Sequence, residues 1–286
     1  MSTLAAYFNV RNRRQRSRLF ANSVGLVILA LMIFPVYWMV ATAFKPGRDI
    51  LRIEPKWFPS PLTIANFDDA VHRPYFWDNV KNSVIIVTVV VALSLVIGFL
   101  AALAIARFRF YGRRAFIAVI IGVQMVPVTA MVIPLFLLLA RANQVDRLTG
   151  VMITYLTFVL PFTVWTLRGF VMGIPRELEE AAMVDGCTRM GAFLRILLPL
   201  IAPGIVATSI FAFVQAWNEF ILAYVLLSSQ DNQTLQVWLA SFTTLRGTDW
   251  GPLMAAATLT SLPVVIFFAI VQRRVAFGLT AGAVRG

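Results

Sequence analysis

The sequence predicts an all-α, polytopic membrane protein with six transmembrane helices and a cytoplasmic helix-glycine-helix loop, on three observations. The 286 residues are 59% hydrophobic and 13% charged, with a mean hydropathy of +0.80, whereas soluble domains carry about a quarter charged residues. Six apolar stretches approach the roughly 20 residues that a helix needs to cross a bilayer. Between the fourth and fifth, a polar segment carries its own helix start, glycine stop and second helix.

The six stretches are Leu19 to Ala43, Asn82 to Ala106, Ala115 to Leu139, Gly150 to Leu167, Gly204 to Leu227 and Gly251 to Val271. They leave a basic N-terminal segment (1–18), a spanning domain (19–271) whose fourth-to-fifth loop covers about 168–203, and a C-terminal tail (272–286). An even number of spans puts both termini on one side. The segments on that side hold 16 Lys and Arg against four acids, and the opposite segments nine against eight. Both termini are therefore expected in the cytoplasm. The net charge of +12 reflects this topology and the pull of anionic lipid headgroups, and no nucleic-acid partner is expected. The first span follows Arg11, Arg13, Arg14, Arg16 and Arg18 but outlasts a cleavable signal, so it is expected to be retained as an anchor.

All three lysines, Lys45, Lys56 and Lys81, fall between Phe44 and Lys81 with five prolines, a composition that predicts an exposed irregular loop. Pro35, Pro127, Pro134, Pro161 and Pro263 interrupt the spans. The backbone groups freed there need neighbouring helices or a wet cavity, which leaves ordinary transmembrane prolines and broken helices around a pathway both open.

In the polar segment, Pro175 suits a helix start, and Glu177, Glu179 and Glu180 place negative charge where the helix dipole favours it. Leu178, Ala181 and Ala182 share a face at i, i+3 and i+4, and Gly186 is expected to end the helix. Met190, Phe193, Leu194 and Leu197 repeat the spacing before Pro199, which is expected to stop the second helix at the membrane surface. Spacing alone fits a generic interfacial helix as well as a docking element.

The residues themselves go further. Glu180-Ala181-Ala182, then Gly186, Ile196 and Pro199, resemble at their spacing the EAA loop of binding-protein-dependent ABC importers. Trp217-Asn218-Glu219-Phe220 and the ending from Gly278 to Gly286 resemble the second permease of the carbohydrate class that contains the maltose importer. The resemblance implies a multi-pass protein of the bacterial cytoplasmic (inner) membrane. It also implies four kinds of partner: a second homologous permease, an ATPase dimer, an extracytoplasmic solute-binding protein and membrane lipid. ATP and Mg would reside on the ATPase, with no cofactor or metal on this chain. Glu180, Ala181, Ala182, Asp185, Gly186, Ile196 and Pro199 would couple to the ATPase, Glu180 facing a basic residue there. Gly282, Val284, Arg285 and Gly286 would contact the ATPase, and the loop from Ser228 to Trp250 corresponds to one that reaches into the opened binding protein. The expected cargo is a disaccharide or oligosaccharide, with a glycerol phosphate ester or another polyol-type solute as the alternative.

What is missing fits a transport subunit that is not itself an enzyme. No lysine stands between Gly and Ser or Thr, as a phosphate-binding loop requires. The single Cys187 and single His72 exclude an intrachain disulfide and a Cys/His zinc site. The spans lack the paired carboxylates, His or Cys of a membrane hydrolase. No internal repeat supports an ion-coupled secondary transporter. Glu219 stands out as the one ionisable residue within the predicted spans, and no Lys or Arg is expected inside them. With Gln215 and Asn218, and Tyr224 a turn beyond, it makes either an interhelical hydrogen-bond knot or part of a sugar path, and both readings stay open. The same choice holds for Gln124, Thr154, Tyr155, Thr157 and Trp165.

Overall fold

A computed structural model describes residues 2–283, with side chains described for 18–272. The helices are α1 (Ser2–Ala43), α2 (Ala65–His72), α3 (Phe76–Arg107), α4 (Arg113–Met125), α5 (Val128–Arg141), α6 (Leu148–Met172), α7 (Glu177–Val184), α8 (Arg189–Ala192), α9 (Leu198–Trp217), α10 (Ile221–Leu226), α11 (Leu235–Ala240) and α12 (Trp250–Ala283). Two-residue strands, Thr243–Thr244 and Gly247–Thr248, are the only β-structure among the described residues. Among the described residues, five helices are long and apolar enough to span a membrane, in α1, α3, α6, the run Arg189–Trp217 and α12. The pair α4 and α5 makes a sixth if counted as one span, bent by 103°.

Three expectations about the spans are corrected. The third is broken at Val126-Pro127, where proline has no N–H to give the helix. The fifth ends at Trp217 and resumes only at Ile221 as α10. Pro199 does not stop the second helix of the polar segment. A π turn at Phe193–Leu197 carries α8 into α9 without a gap, shifting the hydrogen-bond register just ahead of the proline. Helices also outlast their apolar runs by a turn or more, so Lys81 lies in α3, Arg168 lies in α6, and the true connection before α8 is only 173–188.

The chain divides into two compact units, Met1–Val71 with Thr244–Thr258, and His72–Thr243 with Leu259–Gly286. In the first, the segment after α1 is more ordered than an exposed loop. Asn66 donates its Nδ2 to Ala43 O and Lys45 O, both at 2.8 Å. Lys45 is 2% exposed and lies 3.9 Å from the Trp38 ring centroid. Burial pushes its ammonium below the usual lysine range, partly offset by Asp49. Asp49, itself buried, accepts from Lys56 at 2.7 Å and Arg52 at 3.2 Å, and the Lys56 bond foremost holds its carboxyl low.

The second unit is organised around α3. Its buried residues, among them Asn79, Ser83, Ile86, Val90, Ser94, Gly98, Ala102 and Ile105, recur every three or four positions and form one helical stripe. That stripe meets α6 closely because Gly98 has no side chain: a Cβ there would lie 2.6 Å from Thr163 Cγ2. Small residues at such crossings let backbones approach where lipid offers no hydrophobic drive. At one end of the pair, Phe99, Ala102, Ala106, Leu167, Val171 and Ile201 form a core that joins α3, α6 and α9. Phe193 of the π turn stacks on Phe99 at 5.8 Å.

At the other end of α6, Asp146 ties two loops together from a left-handed conformation (φ 58°) that Asp tolerates well. Its Oδ1 accepts from Ser228 N at 2.9 Å and Ser229 N at 3.0 Å, and its Oδ2 from the Ser229 hydroxyl. Its own N–H donates to Leu226 O at 2.8 Å. Burial pushes this carboxyl up, but the hydrogen bonds from Ser229, Ser228 and Asn232 together outweigh it and leave the pKa below the usual range.

Two outcomes are expected. Gly98→Ala should destabilise the purified protein by about 1–3 kcal/mol through overpacking. Adding Thr163→Ser, which removes the clashing methyl and keeps the hydroxyl that bonds Val159 O, should recover most of the loss in thermal melts. Asp146 has its pKa lowered on folding, so its charge stabilises the fold above the unfolded-state value of about 3.9 and loses that effect as pH falls through the folded value. Asp146→Asn keeps the left-handed preference, so its melting temperature should lie below wild type at pH 7 and converge with it under acid; a constant gap at all pH values would remove the charge from the account.

Candidate functional site

The polar segment folds as its local chemistry requires. Arg176 O receives Glu179 N at 3.0 Å and Glu180 N at 3.1 Å, which starts α7 directly after Pro175. Gly186 ends it with φ 89°, the left-handed region where a Cβ is penalised. Cys187 N bonds Ala182 O at 2.9 Å and Gly186 N bonds Met183 O at 3.1 Å, the paired closure of a Schellman cap. Thr188, which sequence reasoning passed over, then caps α8 through Gly191 N to its Oγ1 at 3.1 Å.

The faces of α7 are unequal. Ala182 turns inward and is buried, which separates it from Leu178 and Ala181, both exposed. The exposed face opposite Ala182 carries Glu177, Glu180, Ala181 and Val184, with Asp185 and Gly186 exposed at the end. Ile196 is half-buried in the π turn and Pro199 is exposed. Glu179 turns inward, its Oε1 2.7 Å from Arg107 Nε in an ion pair not aligned as a hydrogen bond. Arg107 Nη2 also donates to Ile174 O at 3.0 Å, and Arg176 Nη2 to Ala106 O at 2.8 Å. Beside these contacts opens a groove of about 490 Å³ whose lining includes Leu103, Arg107, Arg176, Glu180 and Met183. Arg107 and Arg176 were not singled out from sequence, and Glu179 was visible there only as one of three acids at a helix start, with nothing to pair it with Arg107.

The polar residues expected along a path are only partly brought together. Glu219 does not sit within a helix. It lies in the break between α9 and α10, and its carboxylate accepts from Leu222 N at 2.8 Å and Ala223 N at 3.2 Å. The embedded charge thus satisfies the free donors of a helix start. Tyr155, 2% exposed on α6, donates its hydroxyl to Glu219 O at 3.3 Å. Gln215 and Asn218 are exposed one turn apart at the end of α9. Gln124, on α4 just before the break at Pro127, is exposed and donates only to Ile120 O of its own helix, at 3.4 Å. Thr154 and Thr157 likewise bond carbonyls of α6. Tyr224 stacks on Phe220 at 5.4 Å.

The expectation that no Lys or Arg lies within a span does not hold for α6. Arg168 is half-buried there, 5.2 Å from the Trp165 ring, with its Nε buried and without a hydrogen-bond partner. Among the described residues no three His, Cys, Asp or Glu side chains gather as metal ligands would. Gly282 falls near the end of α12, where side chains are not described, and Val284, Arg285 and Gly286 lie outside the described residues.

Residues 94–280 match the family described as "Binding-protein-dependent transport system inner membrane component". The chain is 46% identical over 269 residues to the diacetylchitobiose uptake system permease protein of Streptomyces coelicolor, covering 94% of this chain and 98% of that one. It is 33% identical over 262 residues to the trehalose transport system permease protein of Mycobacterium tuberculosis, covering 91% and 95%. In structure it resembles a chain of a bacterial ABC transporter involved in the import of the acidic polysaccharide alginate. The TM-score is 0.76 at 22% identity, over 91% of this chain and 97% of that one, a likeness of fold.

The cap at Glu219 yields a direct expectation. Glu219→Ala removes both acceptors and should cost about 1–2 kcal/mol of stability. Glu219→Gln keeps one acceptor oxygen and should lose less than half as much. Equal melting temperatures for wild type and the Ala variant would remove the capping role.

Proposed function

The chain belongs to the family of binding-protein-dependent transport system inner membrane components, and we propose that it is one permease half of an ABC importer that passes an oligosaccharide into the bacterial cytoplasm. The observation that carries this reading is the α7-Gly186-α8 segment, with Glu180 on the face turned away from the core. A rigid, capped, surface helix with an acidic and small-residue face suits docking onto a separate ATPase that holds ATP and Mg. Ala181 and Asp185 share the exposed surface, Ala182 anchors the helix from within, and Ile196 and Pro199 lie where the segment enters α9.

The remaining partners are a second homologous permease, a second ATPase subunit, an extracytoplasmic solute-binding protein and lipid. The excess of Lys and Arg on the terminus side supports cytoplasmic termini and cytoplasmic α7. The tail from Gly282 to Gly286 is assigned to ATPase contact by resemblance. For the cargo, the 46% identity to the diacetylchitobiose permease favours a disaccharide of N-acetylated sugars. Gln215 and Asn218 are the exposed amides offered to its hydroxyls, with Gln124 a further candidate, while Tyr155 and Glu219 hold the broken helix behind them. The buried, unpartnered Nε of Arg168 favours a second reading, an anionic polyol such as a glycerol phosphate ester.

The test is uptake into proteoliposomes holding both permeases, the ATPase dimer and the binding protein. ATP-dependent accumulation of N,N′-diacetylchitobiose is the expected result; accumulation of a glycerol phosphate ester and no sugar would transfer the assignment to the second reading. Glu180→Lys inverts charge on the docking face and should lower ATPase co-purification by at least about tenfold while membrane insertion persists. Unchanged ATPase binding and uptake would remove that role from Glu180.

A further inference from the structure

We propose that Arg107 and Glu179 form a latch that makes α7 and the end of α3 move as one body, so that a displacement imposed on α7 is delivered directly to the central helix of the second unit. This deepens the docking role above and rests on it.

Three contacts within one turn of each other carry the inference. The Arg107–Glu179 pair is 2.7 Å apart, with side chains only 10% and 20% exposed. In such surroundings removing one partner strands the other charge, so the pair resists separation far more than an exposed ion pair does. The other two contacts join the end of α3 to the short stretch before α7. Arg107, the last residue of α3, donates to Ile174 O just beyond α6, and Arg176, at the start of α7, donates to Ala106 O at the end of α3. A terminal carbonyl of α3 has no partner within its own helix, and here α7 supplies one. Arg107 in turn holds the linker that leads into α7.

The apolar packing beneath points the same way. Ala106, Leu167, Val171 and Ile201 form a buried core on which Leu103, Ile174 and Phe193 pack. Pulling the stretch that leads into α7 away from α3 would draw Ile174 off that core as well as break the pair. Glu180, one residue from Glu179 but on the exposed face, is left for a partner. Adjacent acids therefore divide the work: one grips this chain and the other faces outward.

Hydrogen exchange in the assembled transporter in lipid nanodiscs, with and without ATP and vanadate, tests the latch without needing the cargo. Exchange of the α7 amides, 180–185, should slow when nucleotide drives docking. In wild type the amides at the end of α3, 104–108, should change with them by at least about threefold. Arg107→Glu and Glu179→Arg should each keep the α7 response and lose the α3 response. The double exchange, Arg107→Glu with Glu179→Arg, should restore at least half of it, as a purely local packing role would not. If α7 responds but α3 does not in wild type, or if both single variants behave as wild type, or if the double exchange restores nothing, the latch is overturned while the docking role stands. No response at α7 in wild type would overturn the docking role and the latch together. The wild-type arm decides even where a charge-reversal variant fails to assemble.

Discussion

Hydrocarbon offers no hydrogen bonds, so every departure from helical regularity at membrane depth must be repaired from within the protein. The three departures in the second unit show three different repairs. At Val126-Pro127 the missing donor is the proline's own, and Ala130 N closes the new start onto Pro127 O. At Phe193–Leu197 the ladder widens by one residue and never opens. At Asn218 to Phe220 the ladder does open, and a carboxylate and a tyrosine hydroxyl fill it. The last repair explains why a charged residue is tolerated in this apolar stretch: its partners are the backbone amides that the break itself releases.

What could be read in the sequence was whatever depends on neighbours along the chain. Apolar runs located the spans, and the acids after Pro175 and the glycine at 186 located the two ends of α7. What escaped depends on contacts across the fold. Nothing near Asn218 breaks a helix by itself, since neither Gly nor Pro is present, so the run from Gly204 to Leu227 read as continuous. Arg107 and Glu179 are 72 positions apart, and no local pattern pairs them. Lys45 and Asp49 occur in a proline-rich segment whose composition signals exposure, yet both are buried because the chain folds back on itself there through Asn66.

Charge sign was legible where charge role was not. Glu177, Glu179 and Glu180 are equivalent to a helix dipole, and each stabilises the start of α7 in the same manner. Rotation of about 100° per residue then separates them, one toward Arg107 and two toward the surface. The arginines behave alike: those at 107 and 176 each donate to a backbone carbonyl of another segment, Ile174 O and Ala106 O, and so serve packing as much as topology.

The π turn at Phe193–Leu197 sets how α7 is aimed. A π turn is an α-helix with one residue inserted, and each added residue rotates everything beyond it by about 100°. The phase of α9, fixed by its packing on α3 and α6, is therefore offset from that of α8 and the capped glycine before it. Loss of a single residue within 193–197 would leave a smooth helix with its hydrogen bonds intact, yet would swing Gly186 and the acidic face around the axis by more than a quarter turn. The length of this stretch is consequently a directional constraint: at its exposed positions, Leu194 and Arg195, substitutions that keep helix propensity are cheap, whereas insertions and deletions misdirect the surface that a partner must meet.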